Sequence, residues 1–176
     1  HFKNVLIRDN IGEYAGGAFI NGFWGFTHPI FENVTIVGNE IMDGSSYDDG
    51  GIGLQSNAQL TLVNSIVRDN TPWEIKTLDN TLLDISYTNI EGGIDDNFGI
   101  TVEGDEVNWG DGNIDVDPRF RDSENGDYQL LASSRCINSG APELTDIDDT
   151  RRDMGAYPYI NYHTGPDWYV SGGSVD

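Results

Sequence analysis

Four oxygen-bearing side chains alternate along one short stretch of the chain: Asp111, Asn113, Asp115 and Asp117, with Asp122 in the twelfth place counted from Asp111. Alternating carboxylate and amide oxygens are what a calcium-binding loop offers. The sixth place, however, holds Val116 where such a loop turns on glycine. The run therefore reads first as a structural turn at Asp117-Pro118, with calcium coordination as the alternative. Asp146, Asp148 and Asp149, and the pair Asp48-Asp49, are acidic clusters of the same ambiguous kind. No other cofactor is called for by any motif.

Acid–base chemistry on a sugar chain needs converging groups. A lyase needs a cationic base or charge neutraliser, often with calcium; a hydrolase needs two carboxylates facing one bond. The cations at hand are Lys3, Arg8, Arg68 and Lys76, and the carboxylates in matching sequence contexts are Asp9 and Asp69. The intervening copy of that context has Gly38 in the same place, so no convincing catalytic set emerges and no residue is assigned a catalytic role. The three histidines (His1, His28 and His163) show no nucleophile or metal spacing. Aromatic residues are the stronger signal. Phe23, Trp24 and Phe26 crowd a glycine-rich stretch, and Trp73 and Trp109 lie near turns. Exposed rings stack on sugar faces, which makes these five the candidate glycan-binding residues; packing over corners of the fold is the competing role.

The elements that would position these residues follow from composition and repetition. The chain of 176 residues has 22 glycines, only 37% apolar residues and a formal net charge of −21. Abundant Gly, Asn and Asp favour short strands joined by tight turns. The charge repels nucleic acid, anionic lipid and acidic polysaccharides, and no stretch approaches the ~20 apolar residues of a membrane helix. Cys136 is the sole cysteine, so no intrachain disulfide forms; a buried thiol is expected. His1 falls within a strand-like run, as expected of a piece of a longer chain.

Three segments align without gaps: Asn4 to Asn10, Asn33 to Asn39 and Asn64 to Asn70, the first Asn recurring after 29 and then 31 residues. A weaker fourth copy runs from Tyr87 to Gly92. A Gly pair inside an apolar run also repeats, at Gly16-Gly17 and Gly50-Gly51. This period predicts an all-β solenoid whose coils pair in parallel about 4.8 Å apart. Val5, Val34 and Ser65 then form one inward column, and Ile7, Ile36 and Val67 another. Asn10, Asn39 and Asn70 stack as an amide ladder, and Ile41 to Asp49 leaves the coil as a loop. A leucine-rich repeat would need Leu at fixed offsets that are missing here; a β-sandwich is the nearer rival.

After about residue 93 the pattern changes. Asn113-Ile114-Asp115-Val116-Asp117-Pro118-Arg119-Phe120, then Asp127-Tyr128-Gln129-Leu130, Ser134-Arg135-Cys136-Ile137-Asn138-Ser139-Gly140 and Asp153-Met154-Gly155-Ala156-Tyr157 follow in order. This series resembles the C-terminal closing region of bacterial right-handed parallel β-helix repeat proteins of the pectin-lyase-like superfamily. It departs at Arg135, where that pattern has Pro, and at Asn138, where it has Asp. The resemblance covers roughly residues 1–159. It implies a right-handed parallel β-helix and an extracellular or cell-surface bacterial setting, but no single chemistry, since the superfamily holds lyases, hydrolases and adhesion-type proteins.

The expected organisation is β-helix coils over 1–109, a closing segment over 110–159 that covers the open coil end with Phe120, Tyr128, Leu130, Cys136, Ile137 and Tyr157, and a linker over 160–176. Asp167-Trp168-Tyr169-Val170 resembles the opening of a following β-helix domain, so tandem solenoids are expected. The expected function is a non-catalytic adhesion or glycan-binding module with a polysaccharide or cell-surface glycan as partner. The alternative is part of a polysaccharide lyase or glycoside hydrolase.

Overall fold

The computed structural model describes residues 1–43, 49–94, 99–103 and 106–161. Asp48 and the expected start of a following domain lie outside them. The chain is a parallel β-solenoid of about four turns. The first turn holds β1 (Phe2–Arg8), β2 (Ile11–Gly12) and β3 (Ala18–Asn21); the second β4 (Ile30–Val37), β5 (Glu40–Ile41) and β6 (Ile52–Gln55). The third holds β7 (Gln59–Val63), β8 (Ile66–Arg68) and β9 (Ile75–Leu78), and the fourth β10 (Leu82–Ser86), β11 (Asn89–Ile90) and β12 (Ile100–Glu103). A partial fifth turn starts with β13 (Glu106–Trp109). Every pairing between turns is parallel and in register, as in Val5↔Val34, Thr35↔Ile66 and Ile66↔Asn89.

The corners explain the repeat. Asn4, Asn33, Asn64 and Tyr87 occupy one corner column, all with left-handed backbone (φ 56°, 53°, 51° and 49°). Asn tolerates that conformation better than other side chains, because its short amide bonds locally. Asp9, Gly38, Asp69 and Gly92 form the second column, again left-handed. Just past it, the Asn10, Asn39 and Asn70 ladder forms as expected. The amides of Asn10 and Asn39 donate to the Oδ1 of the next Asn at 2.8 and 2.9 Å. The Gly pair has a steric cause: a Cβ on Gly17 would lie 2.5 Å from the Gly51 carbonyl oxygen, and one on Gly51 2.4 Å from that of Glu74. Turns approach too closely there for any side chain.

Inward columns match expectation. Val34, Ile36 and Val67 are fully buried with Leu54, Leu60, Ile75 and Leu83, and Ser65 is buried beside them. Stacked turns supply this core jointly, since one turn alone buries nothing on either side.

The closing segment corrects the expectation in two ways. Turn-like stacking continues past residue 109: the Tyr87 N–H donates to the Asp111 carbonyl, and Asn89 bridges to Ile114. From Phe120 onward, however, the segment leaves the end of the stack. It lies along the outer face of β4, β8 and β11, where outward-pointing Ile66 needs cover and Asn33, Thr35 and Asn89 offer hydrogen bonds. Ile66 points outward into a second core with Leu130, Cys136 and Met154, joined by Phe120 and Ile137. β14 (Phe120–Asp122) and β15 (Asp127–Leu130) make an antiparallel pair within this segment. Tyr157 stays 42% exposed and takes no part in the second core.

Polar contacts lock the segment down. Asn33 Nδ2 donates to the carbonyls of Asp153 (2.8 Å) and Gly155 (3.2 Å), and Asn64 Oδ1 accepts the Ala141 N–H. The Ala156 N–H donates to Thr35 Oγ1 at 2.9 Å. Gly155 adopts φ 94°, and a Cβ there would strike Ile66 and Thr35.

Candidate functional site

Phe23, Trp24 and Phe26 ride on the β3–β4 connection. Asn21 closes its first turn by accepting the Phe23 N–H on Oδ1 at 2.8 Å, and Gly25 N–H returns to the Gly22 carbonyl. The turn leaves no room for the rings inside, so they face solvent: Trp24 is 95% exposed, Phe26 76% and Phe23 68%. Phe23 and Trp24 meet edge to face, with ring centroids 5.0 Å apart. Clustered large apolar rings in water mark a contact surface, because nothing in the fold itself gains from them.

Phe26 also forms one wall of a groove of about 550 Å³ with Asn57, Gln59, Asn80, Thr81, Leu82 and Glu106. These residues come from successive connections at the third corner of the solenoid and from the first positions of the strands that follow them. Gln59, Leu82 and Glu106 share one register position in consecutive turns, so the groove runs across the turns. Asn57 and Asn80 are both left-handed (φ 64° and 65°), and Asn80 Nδ2 donates to Asn57 Oδ1 at 2.8 Å. One aromatic wall facing amides and a carboxylate suits an uncharged polyhydroxylated ligand. Asn57, Gln59 and Asn80 were not singled out in the sequence; their joint position depends on turn lengths, although the Ser-Asn and Asp-Asn pairs at 56–57 and 79–80 mark the corner.

The other two aromatic candidates lie elsewhere. Trp73 is half-buried on the β8–β9 connection, where its carbonyl accepts the Gly51 N–H. Trp109 pairs in register with Ile85, a core residue, and is 36% exposed at the end of β13. The structure therefore brings Phe23, Trp24 and Phe26 together and leaves Trp73 and Trp109 apart from them.

The Asp111–Asp117 run is used by the stack. Asn113 Oδ1 accepts the Thr88 N–H, and its amide donates to the Ile85 and Gly110 carbonyls. Asp115 accepts the Gly92 N–H, and Asp117 the Arg119 N–H. Among the described residues, no three acidic, histidine or cysteine side chains are grouped to hold a metal. Asp146, Asp148 and Asp149 likewise shape the closing segment: Asp146 accepts the Asp153 N–H and pairs with Arg152, and Asp148 caps Thr150.

Asp9 and Asp69 are separated by the Gly38 turn, and each has its own arginine. Arg8 lies over the Tyr128 ring, and Arg68 donates to the Val116 carbonyl, so both anchor the closing segment. Beside Asp69 is a cleft of about 490 Å³ shared with Glu74, Glu91 and Asp115. Glu74, unremarked in the sequence, is buried where the amide ladder ends. Its carboxylate accepts the Asn70 N–H and Nδ2–H, and desolvation pushes it up to about 8. Burial raises Asp69 as well, against the opposing pull of Arg68.

Fold and site together define a parallel β-solenoid with an aromatic loop beside a polar groove. No family model, curated protein or solved structure matches the chain. Among the described residues, no helix is long and apolar enough to cross a membrane.

Proposed function

We propose that this chain is part of a secreted or surface-displayed bacterial β-helix protein of the pectin-lyase-like kind, and that it binds glycans without cleaving them. The observation that carries the reading is Trp24, 95% exposed on the loop whose Phe26 walls the groove. A pyranose presents C–H groups on its faces and hydroxyls on its rim. Trp24 and Phe26 offer stacking surfaces, and Asn57, Gln59 and Asn80 offer donors and acceptors. Glu106 and the overall −21 charge repel uronates, so the ligand is a neutral or amino-bearing glycan. Calcium has no part in this reading, and tandem solenoids in the parent protein accord with it.

The test is retention on immobilised neutral glycans. Trp24→Ala and Phe26→Ala should each weaken binding about 5- to 10-fold, the loss of one stacked ring. Unchanged retention in both variants sinks the reading. A second reading is favoured by the Asp69, Glu74, Glu91 and Asp115 cleft, which gathers carboxylates, Glu74 among them raised by burial to about 8, as a glycoside hydrolase gathers its acid and base. Release of reducing or unsaturated sugar ends, abolished by Asp69→Ala, would replace the first reading with this one.

A further inference from the structure

The groove beside Phe26 is long in one direction only. Its floor is a backbone ladder: the Gln59 N–H donates to the Thr27 carbonyl, the Leu82 N–H to that of Ala58 and the Glu106 N–H to that of Thr81, at 2.8, 3.1 and 3.2 Å. Phe26, Gln59, Leu82 and Glu106 therefore line it from successive turns. Along a strand it spans only a few residue positions, as from Asn80 to Leu82. Three strand spacings make about 14 Å along the solenoid axis, against about 7 Å for two residues of strand across it. Beside the floor, strand alternation turns Thr61, Asp84 and Asn108 outward in a second register column, while Leu60, Leu83 and Ile85 face the core. His28 Nε2 and Thr61 Oγ1 are hydrogen-bonded at 2.9 Å, and Asn108 Nδ2 donates to Asp84 Oδ1 at 2.7 Å. The His28 ring meets Phe26 edge to face, with centroids 6.0 Å apart, so this polar rim is continuous with the aromatic wall. Floor and rim thus repeat together at one strand spacing, about 4.8 Å.

We propose that the groove takes a linear glycan of equatorially linked pyranoses, of the β-1,4 type, laid along the solenoid axis with about one ring per turn. The inference rests on the glycan reading above and narrows its ligand. A ring joined through opposite equatorial positions advances by about its own length, close to one strand spacing of about 4.8 Å. Each ring then rests on one floor residue and turns its hydroxyl edge to one rim residue. Leu82, in the middle of the floor, meets C–H groups, and Gln59 and Glu106 on either side of it meet hydroxyls. An axial linkage makes the chain curl, so an α-1,4 glycan leaves a straight floor after a ring or two. A branched glycan needs width that the groove lacks.

Calorimetry with β-1,4 oligosaccharides of glucose, mannose and N-acetylglucosamine, in graded lengths from the disaccharide to the hexasaccharide, tests this against maltohexaose. In at least one series affinity should rise with each ring up to about four, one per lining turn, and then level off. The tetrasaccharide should bind at least about 10-fold more tightly than the disaccharide, and maltohexaose at least about 10-fold more weakly than the hexasaccharide of that series. Glu106 is exposed at the end of the groove away from Phe26. Glu106→Ala should therefore leave the melting temperature and disaccharide binding unchanged and shorten the plateau by one ring. Equal affinity for short and long members in every series, no preference over maltohexaose, or a plateau that Glu106→Ala does not move overturns the inference. The glycan reading survives any of these as long as Trp24→Ala and Phe26→Ala still weaken retention on an immobilised neutral glycan. Retention unchanged in both of those variants overturns the two together.

Discussion

Asn39 bonds Asn70 twice, through its backbone N–H and its side-chain Nδ2–H, both to Asn70 Oδ1 at 2.9 Å. Asn39 Nδ2 also reaches the Ile7 and Val37 carbonyls, while its Oδ1 accepts two donors from Asn10. Asn39 is wholly buried. One amide thus satisfies polar groups of three turns at the corner.

Asn39→Leu should therefore be severe. It removes the acceptor for Asn10 and the donors for two carbonyls, and leaves Asn70 Oδ1 bonded only through the backbone. Several buried polar groups lose partners at about 1 kcal/mol or more each, so a loss of roughly 3 kcal/mol is expected. Urea unfolding followed by circular dichroism measures it. A change below about 0.5 kcal/mol would mean that the ladder contributes nothing.

Stability should fall as pH rises from mildly acidic to alkaline. Burial raises Glu74 from 4.5 to about 8 and Asp153 from 3.8 to about 6. A carboxyl whose folded value is raised stabilises fully below its unfolded value, and that contribution is lost as pH climbs through the folded value. The Asp153 part should disappear between about pH 4 and 6 and the Glu74 part between about pH 4.5 and 8. Glu91 and Asp69 face Glu74, and Asp146 and Asp148 face Asp153, which adds repulsion in the same direction. Glu74→Gln, which mimics the protonated acid, should flatten the melting-temperature profile between pH 6 and 9. An unchanged slope would place Glu74 in contact with water.

Cys136 should resist thiol reagents in the folded chain. It is fully buried in the second core, its Sγ accepts Asn89 Nδ2–H at 3.4 Å, and burial pushes the thiol up to about 11. Thiolate is the reactive form, and at pH 8 it is scarce even before access is considered. Labelling should speed up by orders of magnitude only when denaturant lifts the closing segment. Rapid labelling of native protein would show that this segment is not docked on Ile66.

The loop aromatics should act in binding and not in folding. Trp24 has almost no covered surface to lose, so Trp24→Ala should change stability by less than about 0.5 kcal/mol while reducing glycan retention. A large loss of stability would place the ring in the core.

How the closing motif works was hidden until the fold was known. Asp153-Met154-Gly155-Ala156 could be recognised as a pattern, but its roles come from the partner face. Asp153 accepts the Asn138 and Tyr159 N–H groups, Met154 fills the second core, and Ala156 reaches Thr35. From sequence alone the segment belonged over an open end; the outward apolar position of Ile66 draws it to the side.

The repeat was legible in the chain because solenoid order is local and periodic. Equivalent residues face equivalent surroundings, so Asn recurs wherever the corner needs a left-handed turn or a ladder amide, and Val and Ile recur wherever the strand faces inward. Those columns followed from spacing alone. Contacts between segments of unequal spacing did not. Phe26 meets Asn57 and Asn80 only because the turns bring their third corners into line, and Glu74 replaces the missing fourth ladder residue from a different place in the chain. Periodicity carries information about neighbours one turn away, whereas the groove, the buried acid and the docked closing segment depend on how turns of different length close up in three dimensions.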